Sequence, residues 1–251
     1  MDVSDLPART HSRRRSALAR APSRDAPVME TTPRDLTDWH LEVLPKETRQ
    51  ALEALAGVSW LKDSPWYLAG GTALALAIGH RASVDLDFFT PEGAFSIASM
   101  TERLSMPGWT TDILQENTIY GRLHGAQVSF IAYPFFIPRA PKRQYGNIAV
   151  LAPEDIAVMK VIAISQRGRK RDFVDLFWYC THTEPLEVVL RRLPDQYPSV
   201  AHDYHHILKS LVYFADAEED PMPDLHFKTD WKTVKRYFLH DVPKMMQSLV
   251  L

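Results

Sequence analysis

Leu68-Ala69-Gly70-Gly71-Thr72-Ala73-Leu74-Ala75-Leu76, followed after Ala77-Ile78 by Gly79-His80-Arg81-Ala82-Ser83-Val84-Asp85-Leu86-Asp87-Phe88-Phe89, compresses a strand, a helix and a second strand into one short run. Trp66 to Ala69 is short and apolar, a strand pattern, and it runs into two glycines. Thr72 to Ile78 is an Ala/Leu-rich helix with Gly79 as its stop. Val84 to Phe89 alternates as a strand does, so Asp85 and Asp87 share one face while Leu86 and Phe88 point into a core. Glycines let a backbone approach a ligand closely, and a helix N-terminus behind them suits phosphate. Thr72 adds a hydroxyl that either donates to the ligand or caps the helix. The bland reading of Gly70-Gly71-Thr72 is a tight turn. Two adjacent carboxylates repel one another and need a partner. That partner is a divalent cation or, on an edge strand, solvent. Thr72 and Asp85 are only 13 residues apart. The strand-helix-strand order therefore puts the glycine turn and both aspartates at the same end of a small sheet, where they would face one triphosphate.

Outward from this unit, the spacing of Leu36, Trp39, Leu41, Leu44, Leu52 and Leu55 predicts a helix over 34–57, with Pro45 as a break or restart. Residues 94–105 read as a helix. Strands follow near Thr110–Leu114, Thr118–Leu123 and Gln127–Tyr133. After the Pro-rich loop 134–141 and a strand at Ile148–Leu151, the chain turns helical: Pro153 to about Gln166, then about 170–181, 186–193, 200–217 and 231–248. The aromatic loop Tyr133–Pro138 either covers the site or packs in the core. The expected class is α/β (α+β), a small mixed sheet with helices followed by a helical C-terminal half. The expected divisions are a disordered basic tail at 1–30, a core at 31–151 and a helical subdomain at 152–251.

A third group of residues lies in the helical half. Glu154-Asp155-Ile156-Ala157-Val158-Met159-Lys160 precedes Arg167-Gly168 and Arg171-Asp172-Phe173-Val174-Asp175-Leu176. Lys160 and Arg167 share a helix face, as do Asp172 and Asp175. The lysine suits a triphosphate, and an acid suits either holding Lys160 or activating a nucleophile. Ordinary ion pairs explain the same spacing. Taken with the first stretch, this segment resembles the two ordered signatures of the AbiEii/AbiGii toxin-type nucleotidyltransferases, over residues 39 to 180. The resemblance implies a polymerase-β-like nucleotidyltransferase core, NTP as substrate, Mg²⁺ or Mn²⁺ as cofactor, and often an antitoxin partner, with tRNA as an acceptor in some relatives. Carried over by position, it implies nucleotide contacts from Gly70, Gly71, Thr72, Ser83 and Lys160, metal binding by Asp85 and Asp87, and catalytic roles for Asp85, Asp87, Lys160 and Asp172, with Asp175 as the rival acid. One departure stands out: Ser129 occupies the strand position where such enzymes commonly carry a third carboxylate. That leaves two alternatives open, a catalytically weakened nucleotide-binding regulator and a small-molecule nucleotidyltransferase.

The bulk numbers agree with a globular protein. The 251 residues carry a formal net charge of −2, which excludes a uniformly basic nucleic-acid binder. The single cysteine, Cys180, cannot form an internal disulfide, and it reads as a core residue; the absence of an apolar leader adds to the expectation of a cytoplasmic protein without a membrane segment. His202, His205, His206 and His226 cluster in sequence without a supporting cysteine and read as surface residues.

Overall fold

The computed structural model describes residues 39–200 and 203–249. The basic tail expected at 1–30, the first residues of the 34–57 helix and His202 lie outside them. The chain order is α1 (Lys46–Ala56), β1 (Tyr67–Ala69), α2 (Gly70–Ile78), β2 (Leu86–Thr90), α3 (Ile97–Arg103), β3 (Trp109–Gln115), β4 (Thr118–Leu123), β5 (Ala126–Ala132), β6 (Arg143–Tyr145) and β7 (Ile148–Val150). The helical half follows as α4 (Pro153–Arg167), α5 (Lys170–His182), α6 (Leu186–Arg191), α7 (Leu193–Gln196), α8 (Tyr204–Ser210), α9 (Ala215–Glu218) and α10 (Trp231–Leu249). The fold is thus α/β: one mixed sheet with helices, then a helical half.

The seven strands lie in the order β3-β4-β5-β2-β1-β7-β6. β2 is central, antiparallel to β1 and parallel to β5. Leu68, Leu86, Phe88 and Phe130 are fully buried on one sheet face, with Phe88 stacked on Phe130 at 4.9 Å between ring centroids. The opposite face carries one lateral row, read from the register: Ala69, Asp87, Ser129, Tyr120 and Ile113, on β1, β2, β5, β4 and β3. Strand side chains at paired positions share a face. This row is the floor of the site described below.

Four sequence expectations shift. The 34–57 helix is interrupted: Leu41–Val43 forms a single 3-10 turn, and Pro45, which has no N–H to give, stands just before α1. The helix read over 200–217 is two pieces. Asp203 caps α8 through its side chain, and the chain turns at Leu211–Phe214 before α9. The apolar spacing of Ile207, Leu208, Leu211 and Ala217 runs through the turn because all four still face the core. The 186–193 helix ends at Arg191, and a second short helix restarts with Pro194 in its first turn. β6 carries no strand signal, being the polar triplet Arg143-Gln144-Tyr145; it folds back on β7 around Gly146, whose φ of 57° suits glycine.

Two long-range ties hold the helical half to the sheet. Asp155, buried in the first turn of α4, accepts the backbone N–H groups of Arg139 (2.9 Å) and Ala140 (3.1 Å) and the side-chain amide of Gln196. It pins the Pro-rich loop against α7. The segment His80–Ala82 pairs with Asp224–His226: Ala82 N–H donates to Asp224 O and His226 N–H to His80 O, each at 2.9 Å. Among the described residues no helix is long and apolar enough to cross a membrane.

Candidate active site

A cleft of about 600 Å³ opens over the polar sheet face. Its lining includes Gly70, Gly71, Thr72, Ser83, Asp85, Asp87, Ser129 and Lys160. The two aspartates and the glycine pair, far from the helical half in sequence, therefore face α4 across one space.

α2 begins at Gly70 itself, two residues earlier than the sequence pattern suggests, so both glycines belong to the helix. Its first N–H groups have no intrahelical acceptor and carry the positive end of the helix dipole. Gly70 has φ 72°, and a Cβ there would sit 3.2 Å from Asp87 Oδ2. At Gly71 a Cβ would fall 2.4 Å from Arg81 Nη2. Each glycine is thus required by a particular neighbour: at 70 by backbone geometry and Asp87, at 71 by Arg81.

Asp85 lies one residue before β2, and Asp87 is its second residue. Asp87 Oδ1 accepts a hydrogen bond from Ser129 Oγ at 2.7 Å, across the register pair Asp87–Ser129. Ser129 thus occupies the position adjacent to Asp87, and a hydroxyl stands there in place of a carboxylate. Burial, aided by the neighbouring Asp85 charge and opposed by the Ser129 hydrogen bond, pushes the Asp87 carboxyl above its ordinary value. Arg171 Nη1 approaches Asp85 Oδ2 at 3.3 Å from α5.

Thr72 and Ser83 are not free donors. The Thr72 hydroxyl donates to Asp85 O, so the 2.7 Å contact between the two hydroxyls uses the Ser83 proton. Both side chains are buried, and they latch the start of α2 to the approach of β2. Both hydroxyl protons are thus committed within the fold, and the donors left at this end of the cleft are backbone N–H groups.

A buried charge network forms the wall behind the glycines. Arg81 grips Asp175 with two bonds, Nε to Oδ1 at 2.6 Å and Nη2 to Oδ2 at 2.9 Å. Lys160 Nζ reaches Asp172 Oδ1 at 2.6 Å and Asp175 Oδ2 at 2.7 Å. Arg167 Nε donates to Asp172 Oδ2 at 3.1 Å, and His80 Nε2 to Asp175 Oδ1 at 2.8 Å. Burial alone would raise both carboxyls, but Arg81 and Lys160 hold Asp175 well below the ordinary range, and Lys160 with Arg167 lowers Asp172. Burial depresses His80, which is therefore neutral and donates through Nε2. Three cations face two carboxylates, so the wall presents net positive charge to the cleft. Asp172 is fully buried, does not line the cleft, and is held ionised by two cations. In this arrangement it pairs with Lys160 and Arg167 and holds them in place. Asp175 is equally enclosed. Arg81 is not among the residues that the sequence singled out; its sequence signal is its place between Gly79 and Asp85.

Among the described residues no three His, Cys, Asp or Glu side chains gather as a metal site. His205, His206 and His226, the described members of the histidine cluster, take part in no such group, and Cys180 is buried in the core. The aromatic loop divides: Phe136 is fully buried, Phe135 is exposed, and Tyr133 lines the cleft.

The model of the family described as "Nucleotidyl transferase AbiEii toxin, Type IV TA system" matches residues 53–108 and 118–248. An uncharacterized protein of Aquifex aeolicus (strain VF5) is 35% identical over 211 residues, covering 82% of this chain and 98% of that protein. Among solved structures, JHP933 from Helicobacter pylori is 18% identical with a TM-score of 0.46, covering 82% of this chain and 97% of that one. MenT4, a nucleotidyltransferase toxin from Mycobacterium tuberculosis H37Rv, is 17% identical with a TM-score of 0.47, covering 81% and 87%. With the family model spanning most of the sequence and a relative matched along nearly its whole length, the chain belongs to the AbiEii nucleotidyl transferase toxin family.

Proposed function

We propose that the protein moves a nucleoside monophosphate from an NTP to a hydroxyl of an RNA acceptor, tRNA being the first candidate, as the toxin of a toxin–antitoxin pair. The observation that carries this reading is the single cleft shared by Asp85, Asp87, the glycine start of α2 and the cationic wall of Arg81, Lys160 and Arg167. The acceptor hydroxyl gives its proton to solvent as its oxygen attacks the α-phosphorus, the bond to the bridging oxygen of the β-phosphate breaks, and pyrophosphate leaves.

The donor set fits a Mg²⁺ or Mn²⁺ ion. Such ions are typically held by one or two carboxylates plus substrate phosphates, which matches two aspartates without a third protein acid. Asp87 Oδ1 is occupied by Ser129, leaving Oδ2 toward Gly70, and the raised carboxyl of Asp87 is the response of a buried acid with a like charge beside it. Asp85 and Asp87 would hold the ion, which supplies charge stabilisation at the attacking and leaving oxygens. The Gly70 and Gly71 backbone receives phosphate oxygens, Lys160 and Arg167 offset their charge, and Asp172 keeps both cations aimed. The leaving group lies on the α2 side of Asp87. In-line transfer brings the acceptor from the opposite side, over Ser129, Tyr120 and Ile113. Tyr120 is 41% exposed there, a face on which an unpaired base stacks, and Arg167 and Arg171 stand at the rim for backbone phosphates. The core at 31–151 and the helical part at 152–251 then act as the two walls of one cleft. The toxin description of the family supports a cognate antitoxin, and the lone buried cysteine supports a reducing cytoplasm.

Ser129 supports a second reading, a nucleotide-binding regulator with little turnover. Incubation with Mg²⁺, each α-labelled NTP and total tRNA separates the two. Label in RNA that is lost in the Asp85→Asn, Asp87→Asn variant supports the transferase. NTP binding by calorimetry without labelled product supports the regulator, and labelled product unchanged in the double variant refutes the site.

A further inference from the structure

The cleft extends beyond the carboxylates to an end that neither the phosphates nor the acceptor occupies in the reading above. Two residues past Asp87, about 6–7 Å along the strand, the same sheet face carries Phe89, flanked by Tyr67 on β1 and Ile131 on β5. Tyr133 follows Ile131 on that face, and Tyr197, just after α7, closes the end. α4 supplies the facing wall with Ile156 and Met159, next to Lys160.

The walls are apolar, yet three phenol hydroxyls collect there. Tyr133 lies edge-on to Phe89 at 5.7 Å and to Tyr197 at 6.3 Å, and Tyr67 lies 6.3 Å from Phe89. The Tyr133 and Tyr197 hydroxyls are 3.5 Å apart, beyond the usual 2.5–3.0 Å range for a full bond between hydroxyls. The Tyr67 hydroxyl is buried and has no hydrogen-bond partner among the described residues. Phenylalanine would fill these positions without leaving a buried polar group short of partners, a situation folded proteins rarely tolerate without a use. Burial raises the Tyr67 and Tyr197 phenols, which keeps them neutral and able to donate.

We propose that this end of the cleft is a nucleobase subsite, in which a flat base lies between Phe89 and Ile131 on the sheet and Ile156 and Met159 on α4, with its polar edge read by the Tyr133 and Tyr197 hydroxyls. The proposal rests on the cleft being an NTP site, and it deepens that reading by assigning base selection to Tyr197 and Tyr133. The distance along the strand from Asp87 to Phe89 leaves room for a ribose between the reacting phosphate and the base. Tyr67 stands behind as a third hydroxyl, unpartnered among the described residues, at the same end.

The test is calorimetric binding of the four NTPs, ribose 5′-triphosphate and tripolyphosphate, each with Mg²⁺, to the full chain and to its Tyr197→Phe and Tyr133→Phe variants. The expected result is that at least one NTP binds roughly tenfold or more tighter than ribose 5′-triphosphate. Tyr197→Phe is expected to compress the ranking among the four bases while tripolyphosphate binding stays unchanged. Tyr133 is only half-buried, so Tyr133→Phe carries the test if Tyr197→Phe fails to fold. Equal binding of all NTPs and the base-free triphosphate, or an unchanged ranking in both variants, overturns the subsite. Absence of tripolyphosphate binding by the parent protein overturns the NTP site itself, and the subsite with it.

Discussion

Gly71→Ala sets two opposing effects against one another at one position. Alanine in place of glycine within a helix is worth up to about 1 kcal/mol, and less in the first turn. Against this, the new methyl lands 2.4 Å from Arg81 Nη2. An arginine tip is ordinarily free to swing away. This one is not: the Arg81 side chain is 5% exposed and is held by Asp175 through bonds of 2.6 and 2.9 Å, with a third at 2.9 Å from Nη1 to Ala82 O. Moving it by the required distance breaks at least the Nη2 bond, a charge-assisted contact worth about 1.5–3 kcal/mol. The clash wins, with a net loss of about 1–2 kcal/mol. At roughly 2–4 °C per kcal/mol for a chain of this size, thermal unfolding shifts down by about 2–8 °C. Because Arg81 lines the cleft, tripolyphosphate affinity falls as well. Scanning calorimetry on Gly71→Ala, Arg81→Ala and the double variant reads the coupling directly. In the Arg81→Ala background the methyl meets no guanidinium, so the second substitution should cost nothing or stabilise. A single Gly71→Ala variant as stable as the parent, or a double variant in which the costs simply add, refutes the reasoning.

Asp175→Asn leaves Arg81 and Lys160 short of a buried counter-charge and should destabilise by about 3–5 kcal/mol, measured by urea denaturation; a loss below 1 kcal/mol would mean that the network is not held together by charge. The pH dependence has a definite sign. Asp172 and Asp175 have folded values below their unfolded ones, so their stabilisation is full above the ordinary carboxylate range and is lost as pH falls through the folded values. His80, also depressed, starts the decline earlier, below about pH 6.5, because the unfolded chain takes up a proton that the buried ring refuses. His80→Gln, which keeps a donor for Asp175, should flatten unfolding free energy just below about pH 6.5; an unchanged slope there assigns it to other groups. Ser129→Asp puts a third carboxylate in register beside Asp87, and in the transferase reading it should raise Mg²⁺ affinity with the fold intact. Weaker binding by isothermal titration would mean that the second carboxylate already saturates the site.

What the sequence made legible was periodic. Leu86 and Phe88 alternate with the aspartates, and α2 and α4 read as helices because every turn offers apolar residues to the core. The site's partnerships were not legible, because they join residues far apart in the chain. Nothing local at Arg81 signals Asp175, 94 residues on. The hydroxyls of Thr72 and Ser83 looked available until their mutual bond and the Asp85 carbonyl were visible. Spacing put Asp172 on one face with Asp175 but could not report that Lys160 and Arg167 both pair with it. β6 was missed because a polar edge triplet borrows its strand geometry from β7.

The pairing of His80–Ala82 with Asp224–His226 has a consequence for synthesis. Arg81 sits in the middle of that pairing, and its bridge partner is Leu225. Translation runs from the N-terminus, so the glycines, both cleft aspartates and the lysine leave the ribosome well before the segment that brackets Arg81. A nascent chain that stops short of residue 226 carries the reacting groups without the brace that holds the cationic wall. The order of emergence therefore delays a braced cleft until the segment around Leu225 has been made.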